Sequence, residues 1–512
     1  MSQERLDVTQ SADPSSNEAL IEKYGAVAYA AQSNAPSHPE RLATVASLHG
    51  LSPPSVATCR VLEVGCSDGT NLLPMAAGLP DATFVGCDLS PHAIALGRAA
   101  IVDTSLANVT LIESDLRELP ATLGEFDYII AHGVYSWVPP AVRDALFALA
   151  ARRLSPNGLL FVSYNVYPGC HVRQAAWEIM RYHIRGFEDA RTRLDTARTL
   201  AGAMAEPAIA QDETDALLRR EFARIARQTD SSIYHDDLAV PNDPVYFHEF
   251  AAQAERYGLT FVSGATFFNS SGLGVAPSMQ RLISGLGRLE REQYLDFACL
   301  RRFRQSVLCR AELGAALAPT PERVAQMHAA ASRSLMGAAE RRKPLLNSVR
   351  PPLEPGDERR LYAALARLLA VAPRALPVAK IESSLAMDLP AAPWEPTRSM
   401  AALLFEACFA DEVVLHVQAP QLSEVASEHP LASAVVRWQA RRGKTLTNLC
   451  YEPLQIPDGP ARALLALLDG QRDRAMLDTD VGEALDVDEP AARRRRIDEY
   501  VRQFGRLGLL VR

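Results

Sequence analysis

Three carboxylates stand where short apolar runs end. Glu63 lies within Val61-Leu-Glu-Val64, Asp88 closes Ala82-Thr-Phe-Val-Gly-Cys-Asp88, and Asp115 follows Val109-Thr-Leu-Ile-Glu113. Directly after the first run comes Gly65-Cys-Ser-Asp-Gly69, a tight turn in which the backbone bends and comes close to something. An apolar strand, a glycine turn and a helix together make a nucleotide-type loop. Its details exclude two ligands. A dinucleotide fingerprint needs glycine at the first, third and sixth positions, which here hold Gly65, Ser67 and Thr70. A phosphate loop needs a Lys at its end, and none is present. Glu63 also repels a pyrophosphate, whereas it suits a ligand with an ammonium and a sulfonium. A glycine turn of an unrelated α/β protein is the alternative reading of the turn alone.

The surrounding elements position these acids. Asn71 is expected to cap the helix that starts at Leu72. Asp88 ends the second strand, where an acid of an open α/β sheet accepts hydrogen bonds from ribose hydroxyls. Leu89 follows it, then Ser90 as N-cap and Pro91 at the first helical position of the next helix. Asp115 and Leu116 follow the third strand. A fourth strand, Phe126–Ala131, leads to His132-Gly-Val-Tyr-Ser-Trp137, and a fifth is Gly158–Tyr164. Strands alternating with helices at this spacing predict a parallel α/β sheet.

Glu63, Gly65, Ser67 and Gly69 read as acid-x-Gly-x-Gly-x-Gly with Ser67 at the middle glycine. This resembles motif I of the class I S-adenosylmethionine (AdoMet) methyltransferases. Tyr24 and Tyr29, Ser37-His-Pro-Glu-Arg-Leu42, His132–Pro139 and Ser163–Gly169 look like a bacterial group of these enzymes that carries a methyltransferase regulatory domain. That group is similar to the rickettsial protein-lysine methyltransferases. The resemblance covers roughly residues 20–172 and continues more weakly through Tyr246–Phe250 and Phe303–Arg310. It implies a Rossmann-like, seven-stranded class I sheet with AdoMet as cofactor and no metal. Glu63 would lie near the methionine amino group, directly or through water, with Asn71 beside it. Gly65, Cys66 and Gly69 would supply backbone contact, Asp88 and Leu89 would meet the ribose, and Asp115 with Leu116 the adenine. Tyr24, Tyr29 and His38 belong to a segment that folds over AdoMet in many such enzymes. The carbonyls of His132 and Gly133 would guide an amine. Tyr135 and Trp137 would wall its aliphatic stem, and His132 or Tyr135 would serve as a base. Where the group has Trp after Pro-Gly, this chain has Cys170, which implies a missing aromatic wall near the acceptor.

At 512 residues the chain needs several cores. Residues 1–18 read as a disordered tail and 19–171 as the AdoMet-binding catalytic domain. Residues 172–243 read as a helical insertion of three helices, with Thr214 capping the third. Residues 244–315 form a regulatory region in which the strand Phe303–Cys309 completes the sheet. Residues 316–357 read as a helix and linker, and 358–420 and 421–512 as two mostly helical, winged-helix-like units. Net charge is −8, so no global basic field favours nucleic acid. Arg493-Arg-Arg-Arg496 sits among acids and reads as a locally balanced helix face. The eight cysteines show no metal spacing, no apolar run is long enough to span a bilayer, and the protein reads as cytoplasmic. Abundant Ala and Arg fit a G+C-rich bacterial genome. The expected function is methyl transfer to a lysine amine of a protein partner, with a homodimer left open. Methylation of a small molecule at N or O, or non-catalytic AdoMet binding by a regulator, are the alternatives.

Overall fold

β1 (Arg60–Val64) buries every residue after Arg60, and its Val61 and Leu62 point into the two cores on opposite faces of one sheet. A strand covered on both faces must read as a continuous apolar run. β2 (Thr83–Asp88) and β4 (Phe126–Ala131) flank it in parallel. β3 (Val109–Glu113) extends the sheet beyond β2, and β5 (Leu154–Asn165) beyond β4. β7 (Phe303–Arg310) runs antiparallel against β5, and β6 (Leu259–Gly264) against β7. The order is β3-β2-β1-β4-β5-β7-β6, so Phe303–Arg310 shares a sheet with Val61–Val64. The order reverses between β1 and β4. Ligands of open α/β sheets bind at such a switch point, outside the carboxyl ends of the strands. The computed structural model describes residues 27, 32–206, 212–267, 272, 275–314, 318–341, 343, 352–388, 397–423, 427–481, 485 and 489–511.

Helix starts follow local chemistry, with two departures from the expectations above. The helix Pro91–Thr104 begins as expected, with the Ser90 side chain accepting from Ala93 N–H and Pro91 in the first turn. The helix Pro39–Leu48 is capped by His38, whose Nδ1 accepts from Glu40 N–H, while the Ser37 hydroxyl donates to Asn34 O. The helix Glu213–Ala226 is capped by Asp212 rather than Thr214. Asn71 does not cap the helix Leu72–Gly78, because its own backbone is helical and its amide is engaged elsewhere.

Between β5 and β6 the chain forms the helices Cys170–His183, Ala190–Ala205 and Glu213–Ala226, then a π-helical turn, Ile233–Asp237. Trp177, Phe222 and Ile225 build a separate apolar cluster there. Two carboxylates buried beside it are paired. Asp237 accepts from Arg173 at 3.0 Å and from Trp177 Nε1 at 2.8 Å, and Glu221 meets Arg302 at 2.6 Å.

Beyond the sheet, β8 (His328–Ala331) lies between β9 (Leu376–Pro377) and β10 (Val413–His416). Residues 328–331 were expected in a helix and linker. Their alanines have little strand propensity, and pairing with β10 sets the conformation. The last unit holds the helices Ala434–Arg442, Gly459–Leu467, Arg474–Val481 and Pro490–Arg506 and a hairpin of β11 (Thr445–Thr447) and β12 (Pro453–Gln455). Each arginine of the 493–496 run meets an acid: Arg493 and Arg494 meet Asp478, Arg495 meets Glu489 and Arg496 meets Glu499. Among the described residues no helix is long and apolar enough to cross a membrane.

Candidate active site

The glycine turn is tied to the end of β2. Gly65 and Cys66 donate their N–H groups to Cys87 O at 2.8 and 3.1 Å. Gly65 and Gly69 adopt φ of +70° and +77°, which suits residues without a Cβ. Ser67, at the middle glycine position, adopts φ of +50°, so the turn keeps its shape although the residue differs. Ser67 N–H reaches Asp88 Oδ2 and Ser90 N–H reaches Asp88 Oδ1, both at 2.8 Å. Burial raises the Asp88 carboxyl above its ordinary value, and the N–H groups of Ser90, Ser67 and Leu89 pull it back. Each carboxylate oxygen keeps a second acceptor position for a ligand hydroxyl.

A cavity of about 470 Å³ opens beside this turn. Gly65, Asp88, Leu89, Asp115, Leu116, His132, Gly133 and Trp137 all line it. Asp115 is fixed by Arg117, whose N–H reaches Oδ1 at 2.8 Å and whose Nη2 reaches Oδ2 at 2.6 Å. Cys66 and Gly69 shape the turn from behind and do not line the cavity. Tyr24 and Tyr29 lie outside the described residues. His38 stands away from the cavity, with its ring 4.8 Å from that of Tyr451.

Neither Glu63 nor Asn71 lines the cavity; Glu63 precedes Val64 and Gly65, which do, and is 2% exposed. Its Oε1 accepts from Asn71 Nδ2 at 2.7 Å, while Oε2 is buried and accepts no hydrogen bond among the described residues. Burial first, then the negative charges of Asp88 and Asp68, push this carboxyl up to about 8 against the Asn71 hydrogen bond. An acid held this way takes up a cation and ionises as it does so.

The loop after β4 departs in part from expectation. Asn34 Nδ2 lies 3.1 Å and Ser163 Oγ 2.9 Å from His132 Nδ1. In this amide orientation Asn34 donates, so Nδ1 accepts and the ring proton sits on Nε2. Burial lowers the imidazole to about 4 and keeps it neutral. Its one lone-pair nitrogen is engaged, which does not suit a base. Tyr135 is buried against Phe147, Tyr164 and Phe250, and its hydroxyl donates to Gln253 Oε1. It does not line the cavity, so neither a wall nor a base can be built from it. Trp137 alone of the two aromatics reaches the cavity. Cys170 is fully buried, with Sγ 3.1 Å from Arg302 O. It lies in the helical cluster, so exchange of an aromatic there bears on packing rather than on a cavity wall.

Among the cavity residues that escaped the sequence reading are His235 and Asp236. They come from the π-helical turn, anchored by the buried Asp237. A π turn leaves no periodic signature; the one available signal was the polar run His235-Asp-Asp237 among helices.

A sheet of this order with β7 alone reversed, acids ending its adjacent β1 and β2 strands and a cavity at the switch point define the class I methyltransferase fold. Family models match in three places: a methyltransferase domain at residues 61–158, a "Predicted methyltransferase regulatory domain" at 229–310, and a "PKMT, C-terminal winged helix domain" at 428–496. Two uncharacterized proteins of Rickettsia prowazekii are 34% identical. One aligns over 57% of this chain and 53% of its own length, the other over 43% of this chain and 88% of its own length. The chain thus spans about half the length of the first of these relatives. The structure of PKMT2 from Rickettsia typhi in complex with AdoHcy superposes with a TM-score of 0.79 at 23% identity, covering 94% of this chain and 100% of that one. The chain belongs to the AdoMet-dependent class I methyltransferases that carry a methyltransferase regulatory domain.

Proposed function

We propose that this chain transfers a methyl group from AdoMet to a lysine amine of a protein. The observation that carries the reading is one cavity joining Asp88 and Asp115 on its cofactor side to His132, Gly133 and Trp137 on the other. AdoMet fits this donor set. Asp88 would take the ribose hydroxyls, Asp115 and Leu116 the adenine, and the open oxygen of Glu63 the amino group. AdoMet supplies a methyl group already activated on a sulfonium, so the protein mainly positions and desolvates the reactants. The carbonyls of His132 and Gly133 would accept from the incoming amine and aim its lone pair. Trp137 would cover the aliphatic stem and attract the charged amine before it loses its proton. Neutral His132, held by Asn34 and Ser163, would shape the loop. His235 and Asp236 would present the helical insertion to the acceptor. Lysine as acceptor is supported by the protein-lysine methyltransferase (PKMT) winged-helix match and by the likeness to PKMT2 along almost the whole chain.

Asp88→Ala is expected to weaken AdoMet binding by about 1–3 kcal/mol, the range for hydrogen bonds to an ionised group. Calorimetry giving an unchanged Kd would remove Asp88 from the ribose site. The function itself is tested with methyl-labelled AdoMet in a cell lysate separated into protein, nucleic acid and small molecules. Label in protein is expected; label confined to metabolites or nucleic acid contradicts the reading.

A further inference from the structure

The turn between β11 and β12 reaches the catalytic sheet behind Glu63. It carries Tyr451 at φ of +62°. A bulky side chain adopts the left-handed region only where its surroundings hold it there. Those surroundings belong to the catalytic domain. Tyr451 is 5% exposed and shares an apolar cluster with Val61 and Leu72. Its hydroxyl meets both oxygens of Asn71, the backbone O and, at 2.7 Å, the side-chain Oδ1, and Asn34 N–H donates to Oδ1 at 2.8 Å. With both donors on the amide oxygen, the amide nitrogen turns to Glu63 Oε1 at 2.7 Å and Ser37 Oγ at 3.1 Å. The contact is anchored on either side. Thr447 Oγ1 donates to Ser33 Oγ at 3.0 Å, while Trp438 Nε1 and Arg442 Nη2 reach Asp103 Oδ2 at 3.2 and 2.9 Å.

We propose that Tyr451 is a positioning residue for the amino-acid end of AdoMet, and that cofactor binding therefore requires the C-terminal unit to be docked. Through Asn71 the tyrosine fixes the Glu63 carboxylate with one oxygen engaged and the other left for the ligand's ammonium. Its ring is buried in the apolar cluster with Val61 and Leu72, which keeps that hydroxyl contact away from water. This inference rests on reading the cavity as an AdoMet site.

Two ligands separate this role from a general one in folding. S-adenosylhomocysteine carries the amino-acid end, and 5′-methylthioadenosine shares the adenosine and thioether but lacks it. In calorimetry on the full chain, Tyr451→Ala is expected to raise the Kd for S-adenosylhomocysteine about tenfold or more, a lost charge-assisted contact. The Kd for 5′-methylthioadenosine should stay within about twofold of wild type. Tyr451→Phe keeps the ring and loses only the hydroxyl; it should restore most of the affinity and leave a defect of about threefold, again on S-adenosylhomocysteine alone. It decides the matter if the alanine variant does not fold. Equal losses on both ligands, or no loss on either, overturn the proposal. A wild-type chain that binds neither ligand overturns the AdoMet reading and this proposal with it.

Discussion

Glu63→Gln is expected to stabilise the ligand-free protein while weakening its hold on AdoMet. The carboxyl is pushed from its ordinary value of 4.5 up to about 8, chiefly by burial. Its pKa is raised on folding, so between those values the unfolded chain is ionised and the folded chain keeps its proton. Folding therefore takes up a proton across this window, and wild-type stability falls as pH rises through it. The penalty is fully present above pH 8 and absent below 4.5. Glutamine does not titrate and keeps the hydrogen bond with Asn71. The melting temperature of the variant should pull ahead of wild type as pH rises from about 5 to 8, then level off. Binding should move the other way. The glutamine amide nitrogen would replace the open carboxylate oxygen and meet the ligand's ammonium without charge attraction. A loss of about 10- to 100-fold follows from the worth of a hydrogen bond between charged groups. A gap in melting temperature that does not change with pH, or an unaltered Kd, would separate Glu63 from the cofactor.

Gly65→Ala should weaken binding through shape alone. At φ of +70° an added Cβ would lie 2.5 Å from Val134 Cγ2, a contact that real Cβ atoms do not make. Val134 is β-branched, lines the cavity and has little rotamer freedom with which to yield. Either the turn flattens or Val134 moves into the ligand space. The strain should cost about 1–3 kcal/mol of stability. The Kd for S-adenosylhomocysteine should rise by about tenfold or more. Urea unfolding and calorimetry on the same preparation read both. A destabilised variant with intact affinity would place the ligand away from this turn.

What could be read in the chain was whatever local pattern encodes. Glu63, Asp88 and Asp115 interrupt or end apolar runs, and a run that stops at an acid shows where a strand leaves the core. The strand expected at Phe303–Cys309 was legible from its apolar end, Val307-Leu-Cys309. Local pattern does not encode contacts made across the chain. Asn71 has the residue type of a cap, yet its amide joins Glu63 to Tyr451, 380 positions away. Tyr135 and Trp137 are near neighbours with similar aromatic character. The short 3-10 turn Tyr135–Trp137 sends one into the core beside Phe250 and leaves the other at the cavity. His235 and Asp236 reach the cavity because Asp237 is anchored by Arg173 and Trp177 of a different helix. Neither outcome follows from the residues next to them.

The central claim is transfer to a lysine ε-amine of a protein. Its most direct test is to incubate the full chain with trideuteromethyl AdoMet and cell lysate, digest the protein fraction, and map the label by fragmentation mass spectrometry. Labelled methyl groups on lysine ε-nitrogens, lost when Glu63→Gln replaces the wild-type chain at limiting AdoMet, are predicted. Label on carboxylates or other side chains alone, or only in metabolites, would contradict it.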